Sequence, residues 1–242
     1  MSIDINEEKI FNIVIPTFNE GNNVLKIVRE IKNKSRELKI KIRIWLIDDC
    51  SDDELTIKNI EKVVDNIEVF SSNTSIKNKG QHIATKLGFT LIGNGVTGVL
   101  DCDGQDPVED LFNMYDILIK SKYEAIIGIR GPNSRKGTDS IFKIYTASLY
   151  YKLISLILKK KVYNSSNFYI IKLTRDKLKY LSTDNLRQSV QDNFNYTTYE
   201  YNRHKREIGK TKYTVLDLVK VAFMGVRYSI KERNKSHETK TK

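Results

Sequence analysis

Asp101 and Asp103 stand at the end of an apolar run, Val96 to Leu100, with Cys102 between them. Such a run reads as a buried strand, and in extended backbone alternate side chains point the same way, so the two carboxylates face one side. That pair suits a divalent cation, because Mg²⁺ or Mn²⁺ takes hard oxygen ligands, usually one or two carboxylates together with substrate phosphates. Gln105 can add a carbonyl oxygen from the same side. Asp-x-Asp after a strand also caps helices or ends in a solvated turn, so residues elsewhere in the chain decide between these readings.

The chain has 242 residues, of which 40% are hydrophobic and three are proline, which is ordinary for a globular α/β protein. Forty-one Lys and Arg against 30 Asp and Glu give a formal charge of +11, which favours phosphate-bearing ligands, an anionic membrane surface or nucleic acid. No nucleic-acid recognition motif or aromatic-basic platform is present, which sets that last class aside. The positive excess falls after residue 130, whereas the tight acidic clusters lie before it. Cys50 and Cys102 each sit beside carboxylates at a strand end, as reduced thiols rather than a disulfide framework. The N-terminus lacks the basic start and apolar stretch of a signal peptide, and no apolar run reaches the roughly 18 residues of a spanning helix. These features point to a cytoplasmic protein.

The elements that must position the two carboxylates alternate. Ile10 to Ile15 is a short strand stopped by Pro16, followed by a helix through Val24, Leu25, Val28 and Ile31. Lys39 to Ile47 is a second strand, ending in Asp48 and Asp49. A helix at Leu55–Val64, a strand at Ile67–Phe70, a helix at Gly80–Leu91 and the strand at 96–100 follow. After Pro107 come another helix and the strand Ala125–Ile129, which ends at Arg130. Alternation of this kind implies parallel strands joined by right-handed crossovers, with ligands bound outside their carboxyl ends. Polar residues can simply terminate strands, but three charged clusters at such ends, Asp48/Asp49, Asp101/Asp103 and Arg130, point to one site.

The second half differs. Ile141 to Leu158 is an amphipathic helix with Phe142, Tyr145, Leu149, Leu153 and Leu156 on one stripe and Lys159 to Lys161 at its end. It fits a membrane interface or a core-facing helix with a basic end. Strands are expected at Asn167–Leu173 and at Thr197–Arg206, where Tyr199, Tyr201 and Arg203 alternate. A second amphipathic helix covers Val215–Ile230. The expected organisation is one domain over 1–230, with a first half at about 10–130 and a second at about 131–230, then a charged tail at 231–242.

Six motifs in register resemble the inverting family 2 glycosyltransferases of the GT-A fold, most closely the dolichyl-phosphate mannose synthase and polyprenyl-phosphate sugar transferase branch. They are Ile-Pro-Thr-Phe-Asn-Glu20, Leu-Ile-Asp-Asp-Cys-Ser-Asp52, Asn78-Lys-Gly80 with Ala84 and Gly88, Leu-Asp-Cys-Asp-Gly-Gln-Asp-Pro-Val-Glu109, Gly-Ile-Arg130 and Arg206-Glu-Ile-Gly-Lys-Thr-Lys-Tyr213. The resemblance spans about residues 10–230. It implies an α/β, Rossmann-like nucleotide-diphospho-sugar transferase fold, with a mostly parallel central sheet flanked by helices and C-terminal amphipathic helices.

The resemblance also implies roles. Pro16, Phe18, Glu20 and Asp49 line the nucleotide pocket, with the ring against the base and Asp49 accepting from its edge. Asp101, Asp103 and Gln105 hold Mg²⁺ or Mn²⁺ on the donor diphosphate, with Asp103 catalytic. Arg130, Arg206 and Lys212 meet phosphate oxygens of donor or acceptor, Arg206 as a catalytic group. The implied activity is transfer of a sugar, with inversion, from a UDP- or GDP-sugar to a polyprenyl phosphate at the cytoplasmic face of the membrane. The transmembrane pair that ends many bacterial members of the branch is not found in this sequence, so the expected membrane contact is peripheral or through a partner, with no transmembrane segment. In that branch the segment matching Tyr163–Tyr169 usually reads like Asp-x-Gly-Asp-Phe-Arg. Here Asn164 and Asn167 stand for the acids and Tyr169 for the Arg. The acceptor therefore stays open between a polyprenyl phosphate and a saccharide or other hydroxyl in surface polysaccharide synthesis, and a catalytically impaired sugar-nucleotide-binding protein is the third reading.

Overall fold

A computed structural model describes residues 10–65, 68–73, 77–131 and 165–204, together with 152, 155–156 and 226–227. In chain order these form β1 (Phe11–Thr17), α1 (Asn23–Leu38), β2 (Ile42–Asp48), α2 (Glu54–Val63), β3 (Val69–Asn73), α3 (Gln81–Ile92), β4 (Gly95–Val99), α4 (Val108–Lys120), β5 (Ala125–Arg130), β6 (Ser165–Leu173), α5 (Arg175–Leu178), α6 (Leu186–Asn193) and β7 (Tyr196–Tyr201). The strands make one sheet in the order β3-β2-β1-β4-β6-β5-β7. Six of them run parallel, and β6 alone runs against its neighbours, wedged between β4 and β5.

The central strands are largely apolar because both faces are covered. Phe11, Ile13 and Ile15 of β1 pack with Val24, Ile27 and Ile31 of α1 and Leu111, Met114 and Leu118 of α4. Val14, pointing the other way, joins Ala84 and Phe89 of α3 and Leu186 and Val190 of α6. The alternation that made the strands legible is thus the alternation between two cores.

Strand order puts the site where it is. From β1 the chain steps outward to β2 and β3 on one side, then returns so that β4 pairs with β1 on the other. Loops leaving β1 and β4 therefore diverge, which opens a crevice at the carboxyl ends of these strands. Pro16 does not end β1: it stays in register opposite Ile47 of β2. Pairing of β1 with β4 stops at Val14, so the missing N–H of Pro16 interrupts no ladder on that side.

Lys39, expected at the start of β2, instead ends α1 in a left-handed conformation (φ 55°), and pairing of β2 begins at Ile42. Cys50 and Cys102 form no disulfide. No helix among the described residues is long and apolar enough to cross a membrane. The two amphipathic stretches, Ile141–Leu158 and Val215–Ile230, lie outside the described residues apart from positions 152, 155–156 and 226–227, as do Lys159 to Lys161.

Gly128 marks the tightest approach in the sheet. The β5–β6 register shifts between Ile127 and Ile129, and a Cβ on Gly128 would lie 2.6 Å from Phe168 Cδ1 and 2.9 Å from the Phe168 carbonyl oxygen. A main-chain oxygen cannot rotate away as a side-chain tip can. Gly128→Ala should therefore lower stability by about 1–3 kcal/mol, the usual penalty for overpacking, read as a lower urea midpoint at unchanged slope. An unchanged midpoint would mean that β5 and β6 are not packed this closely.

Candidate active site

The loop after β4 carries three carboxylates. Asp101 leaves the strand end, Asp103 Oδ1 accepts from the Gln105 N–H at 3.1 Å, and Gly104 turns the chain at φ 69°, a left-handed value suited to glycine. Asp106 follows with its side chain fully buried.

One guanidinium meets all three. Arg203, just past the end of β7, places Nη2 3.4 Å from Asp101 Oδ2 and 3.7 Å from Asp103 Oδ2, while its Nε donates to Asp106 Oδ1 at 3.0 Å. The Tyr201 hydroxyl donates to the same Asp106 oxygen at 2.7 Å, and Asp106 Oδ2 is buried without a hydrogen-bond partner. Gln81, the first residue of α3, donates its side-chain amide to Asp101 Oδ1. A second tie joins the loop to residue 204: the Gln105 carbonyl accepts from the His204 N–H at 2.8 Å, and Gln105 Nε2 donates to the His204 carbonyl at 3.2 Å.

Electrostatics follows from this crowding. Burial raises the Asp101 pKa, the negative charges of Asp106 and Asp103 add to the rise, and Arg203 and Gln81 oppose it, leaving the group pushed up to about 7. Arg203 is held above the usual guanidinium range by the three carboxylates despite its burial.

The donor set fits a hard divalent ion. Asp101 and Asp103 turn one oxygen each toward a single positive nitrogen, so the geometry already converges on one cation position. Among the described residues no three His, Cys, Asp or Glu side chains form a complete cage. Mg²⁺ and Mn²⁺ commonly use one or two carboxylates and leave other positions to water and phosphate.

The loops after β1 and β2 are laced together beside this point. Asn19 (φ 51°) donates its N–H to Ser51 Oγ at 2.9 Å, and its Oδ1 accepts from the Asp52 and Asp53 N–H groups. This holds half-buried Phe18 and Glu20 at the strand ends, with Glu20 Oε2 accepting from Asn23 Nδ2 at 3.1 Å and Pro16 buried within β1.

Asp49 is almost fully buried, and its two oxygens accept from the N–H groups of Lys79 (3.0 Å) and Gly80 (2.6 Å). It anchors the turn into α3 and so helps to place Gln81, a positioning job that its motif did not disclose. Arg130, at the end of β5 opposite Tyr201 of β7, keeps a buried Nε that makes no hydrogen bond.

The structure thus brings Asp101, Asp103 and Gln105 together at the end of β4, with Pro16, Phe18, Glu20 and Asp49 at the neighbouring strand ends and Arg130 at the end of β5. Arg206, Lys212 and Asn164 lie outside the described residues. Asn167 is half-buried on β6, and Tyr169 lies in the second core with a buried hydroxyl that makes no hydrogen bond. Sequence reasoning missed Gln81, Asp106, Tyr201 and Arg203 as site residues. The available signal was alternation: Arg203 falls in phase with Tyr199 and Tyr201 in the strand expected at Thr197–Arg206.

Comparison with known proteins places this geometry. The family model described as Glycosyl transferase family 2 matches residues 12–233. The uncharacterized glycosyltransferase YkcC of Bacillus subtilis is 26% identical over 223 residues, covering 89% of this chain and 67% of its own. The undecaprenyl-phosphate 4-deoxy-4-formamido-L-arabinose transferase of Salmonella choleraesuis is 28% identical over 155 residues, 63% of this chain and 44% of its own. The chain thus spans about two thirds of one of these relatives and less than half of the other. Glucosyl-3-phosphoglycerate synthase from Mycobacterium tuberculosis, solved with Mn²⁺, UDP and phosphoglyceric acid, has the same fold at a TM-score of 0.62 and 13% identity, over 93% of this chain and 78% of that one.

The raised pKa of Asp101 has a sign that can be checked. The folded protein holds this proton more tightly than the unfolded chain, whose Asp titrates near 3.9. Stability contributed by the protonated form is fully present below about pH 4 and is lost as pH rises through about 7. In metal-free buffer, wild type should therefore lose more stability between pH 5.5 and 8 than Asp101→Asn does, measured by thermal melts. Parallel curves would mean that Asp101 ionises normally.

Proposed function

The chain belongs to glycosyl transferase family 2, and from that premise we propose that it transfers a sugar, with inversion, from a nucleoside-diphosphate sugar to a polyprenyl phosphate at a membrane surface. The observation that carries this reading is the convergence of Asp101 and Asp103 on one cation position, at the crevice where β1 and β4 part. The solved neighbour with Mn²⁺ and UDP supports a divalent ion and a nucleotide donor, and the Salmonella relative, by its name, supports the lipid phosphate.

The residues divide the work. Asp101 and Asp103, with the side-chain oxygen of Gln105, hold Mg²⁺ or Mn²⁺, which supplies Lewis-acid neutralisation of charge on the leaving diphosphate. Phe18, beside Pro16, offers the base a flat apolar partner, and the carboxylates of Glu20 and Asp49 fix its polar edge. Arg130 Nε, a buried donor without a hydrogen bond, meets a phosphate oxygen. Arg206 and Lys212 bring in the acceptor phosphate as a planar fork and a point charge. A phosphate acceptor arrives already ionised, so the chain needs cations to join two anions rather than a general base.

A hydroxyl acceptor would instead need a carboxylate within reach of its proton. The specific ground for that second reading is the pair Asn164 and Asn167, which stand where the lipid-phosphate branch carries acids.

The test is a transfer assay with UDP- and GDP-sugars, Mn²⁺ and either polyprenyl phosphate or neutral polyprenol. The expected result is transfer to the phosphate only. Asp103→Ala should lower it by about 100-fold or more, given several kcal/mol of charge stabilisation. Arg206→Ala should lower it by roughly 10- to 150-fold, the loss of one charge-assisted hydrogen bond, with little change in nucleotide affinity. Equal use of the neutral alcohol would rule out the phosphate-acceptor chemistry and favour the hydroxyl reading.

A further inference from the structure

Arg203 occupies the place a cation would take between Asp101 and Asp103, and its three contacts are unequal. The bond from Nε to Asp106 Oδ1 is 3.0 Å long and is buttressed by the Tyr201 hydroxyl on the same oxygen. The approaches of Nη2 to Asp101 and Asp103, at 3.4 and 3.7 Å, are longer than the 2.7–2.9 Å of a good charged hydrogen bond. Of the contacts from the guanidinium to these three carboxylates, one is firm and two are loose. A divalent ion seated at about 2.1 Å from carboxylate oxygens gains more Coulomb energy than a single positive charge well beyond 3 Å.

We infer that Arg203 is the resident counter-cation of this site: a divalent ion enters by taking Asp101 and Asp103 from Nη2, while the bond from Nε to Asp106 keeps the side chain beside the ion. Two consequences follow. Before nucleotide arrives, Arg203 competes with the ion and weakens its binding. Once released from the two carboxylates, Nη2 offers donors to the anion that comes with the ion, so ion and diphosphate bind together rather than in sequence. Arg203 is on this view a positioning residue that makes metal binding depend on the donor. The inference rests on the proposal that Asp101 and Asp103 take the divalent ion.

The experiment is calorimetric titration of the full chain with MnCl₂, with and without UDP, on wild type, Arg203→Gln, Arg203→Lys and Asp103→Ala. A positive charge within about 4 Å of a site commonly shifts an ionic equilibrium by a factor of ten or more. Arg203→Gln should therefore bind Mn²⁺ alone about tenfold or more tighter than wild type, and UDP should add less to its Mn²⁺ affinity. Arg203→Lys, which keeps a charge without the fork, should fall between them.

If Asp103→Ala loses Mn²⁺ while Arg203→Gln binds it no better than wild type, the role of Arg203 is overturned and the metal reading stands. If no form binds Mn²⁺, both fall. Should both Arg203 variants fail to fold, millimolar Mn²⁺ should restore a cooperative melt by replacing the lost counter-charge, and failure to restore it would overturn the inference.

Discussion

Three carboxylates crowded at the end of one buried strand are first of all a charge problem. Unpaired ionised groups are costly in a protein interior, so they pair, protonate or take a metal. Arg203 supplies the pairing, and much of the architecture around β4 is what brings it there. It comes from 97 residues beyond Asp106 in the chain, so no local preference can place it. The strand β7 must lie beside β5, and residues 201–204 must be stitched to the loop by the Tyr201–Asp106 and Gln105–His204 bonds.

The opposite side of the crevice is organised by a different constraint, the need to satisfy main-chain N–H groups where strands give way to loops. Asp49 takes the Lys79 and Gly80 N–H groups, Asp53 caps α2, and Asn19 bridges to the Asp52 and Asp53 N–H groups. The Asp49 bonds fix the start of α3, whose first side chain, Gln81, reaches Asp101. The loop after β2 and the loop after β4 are thus joined through α3, and a change at Asp49 would be felt at Asp101 through Gln81.

What was legible in the sequence follows from these two constraints. Strands β1, β2, β4 and β5 could be read because burial on both faces leaves apolar runs, and Asp101 and Asp103 could be read because they end such a run. Boundaries slipped where pairing, not composition, sets them, as at Pro16 and Lys39. The antiparallel course of β6 had no local signature, since an apolar strand looks the same in either direction. Helix α6 was missed because its sequence, Leu-Arg-Gln-Ser-Val-Gln-Asp-Asn, offers only Leu186 and Val190 to the core. Arg203 was visible only as one alternating residue of an expected strand, because its meaning depends on carboxylates about a hundred residues away.

The most direct measurement is crystallographic: the protein crystallised with Mn²⁺ and a nucleoside diphosphate, with the ion located by its anomalous scattering. The predicted result is a single manganese peak at about 2.1 Å from carboxylate oxygens of both Asp101 and Asp103, with the Arg203 Nε still on Asp106 and its Nη2 withdrawn from the other two. A manganese peak elsewhere, or diphosphate bound with Arg203 still spanning Asp101 and Asp103, would contradict it.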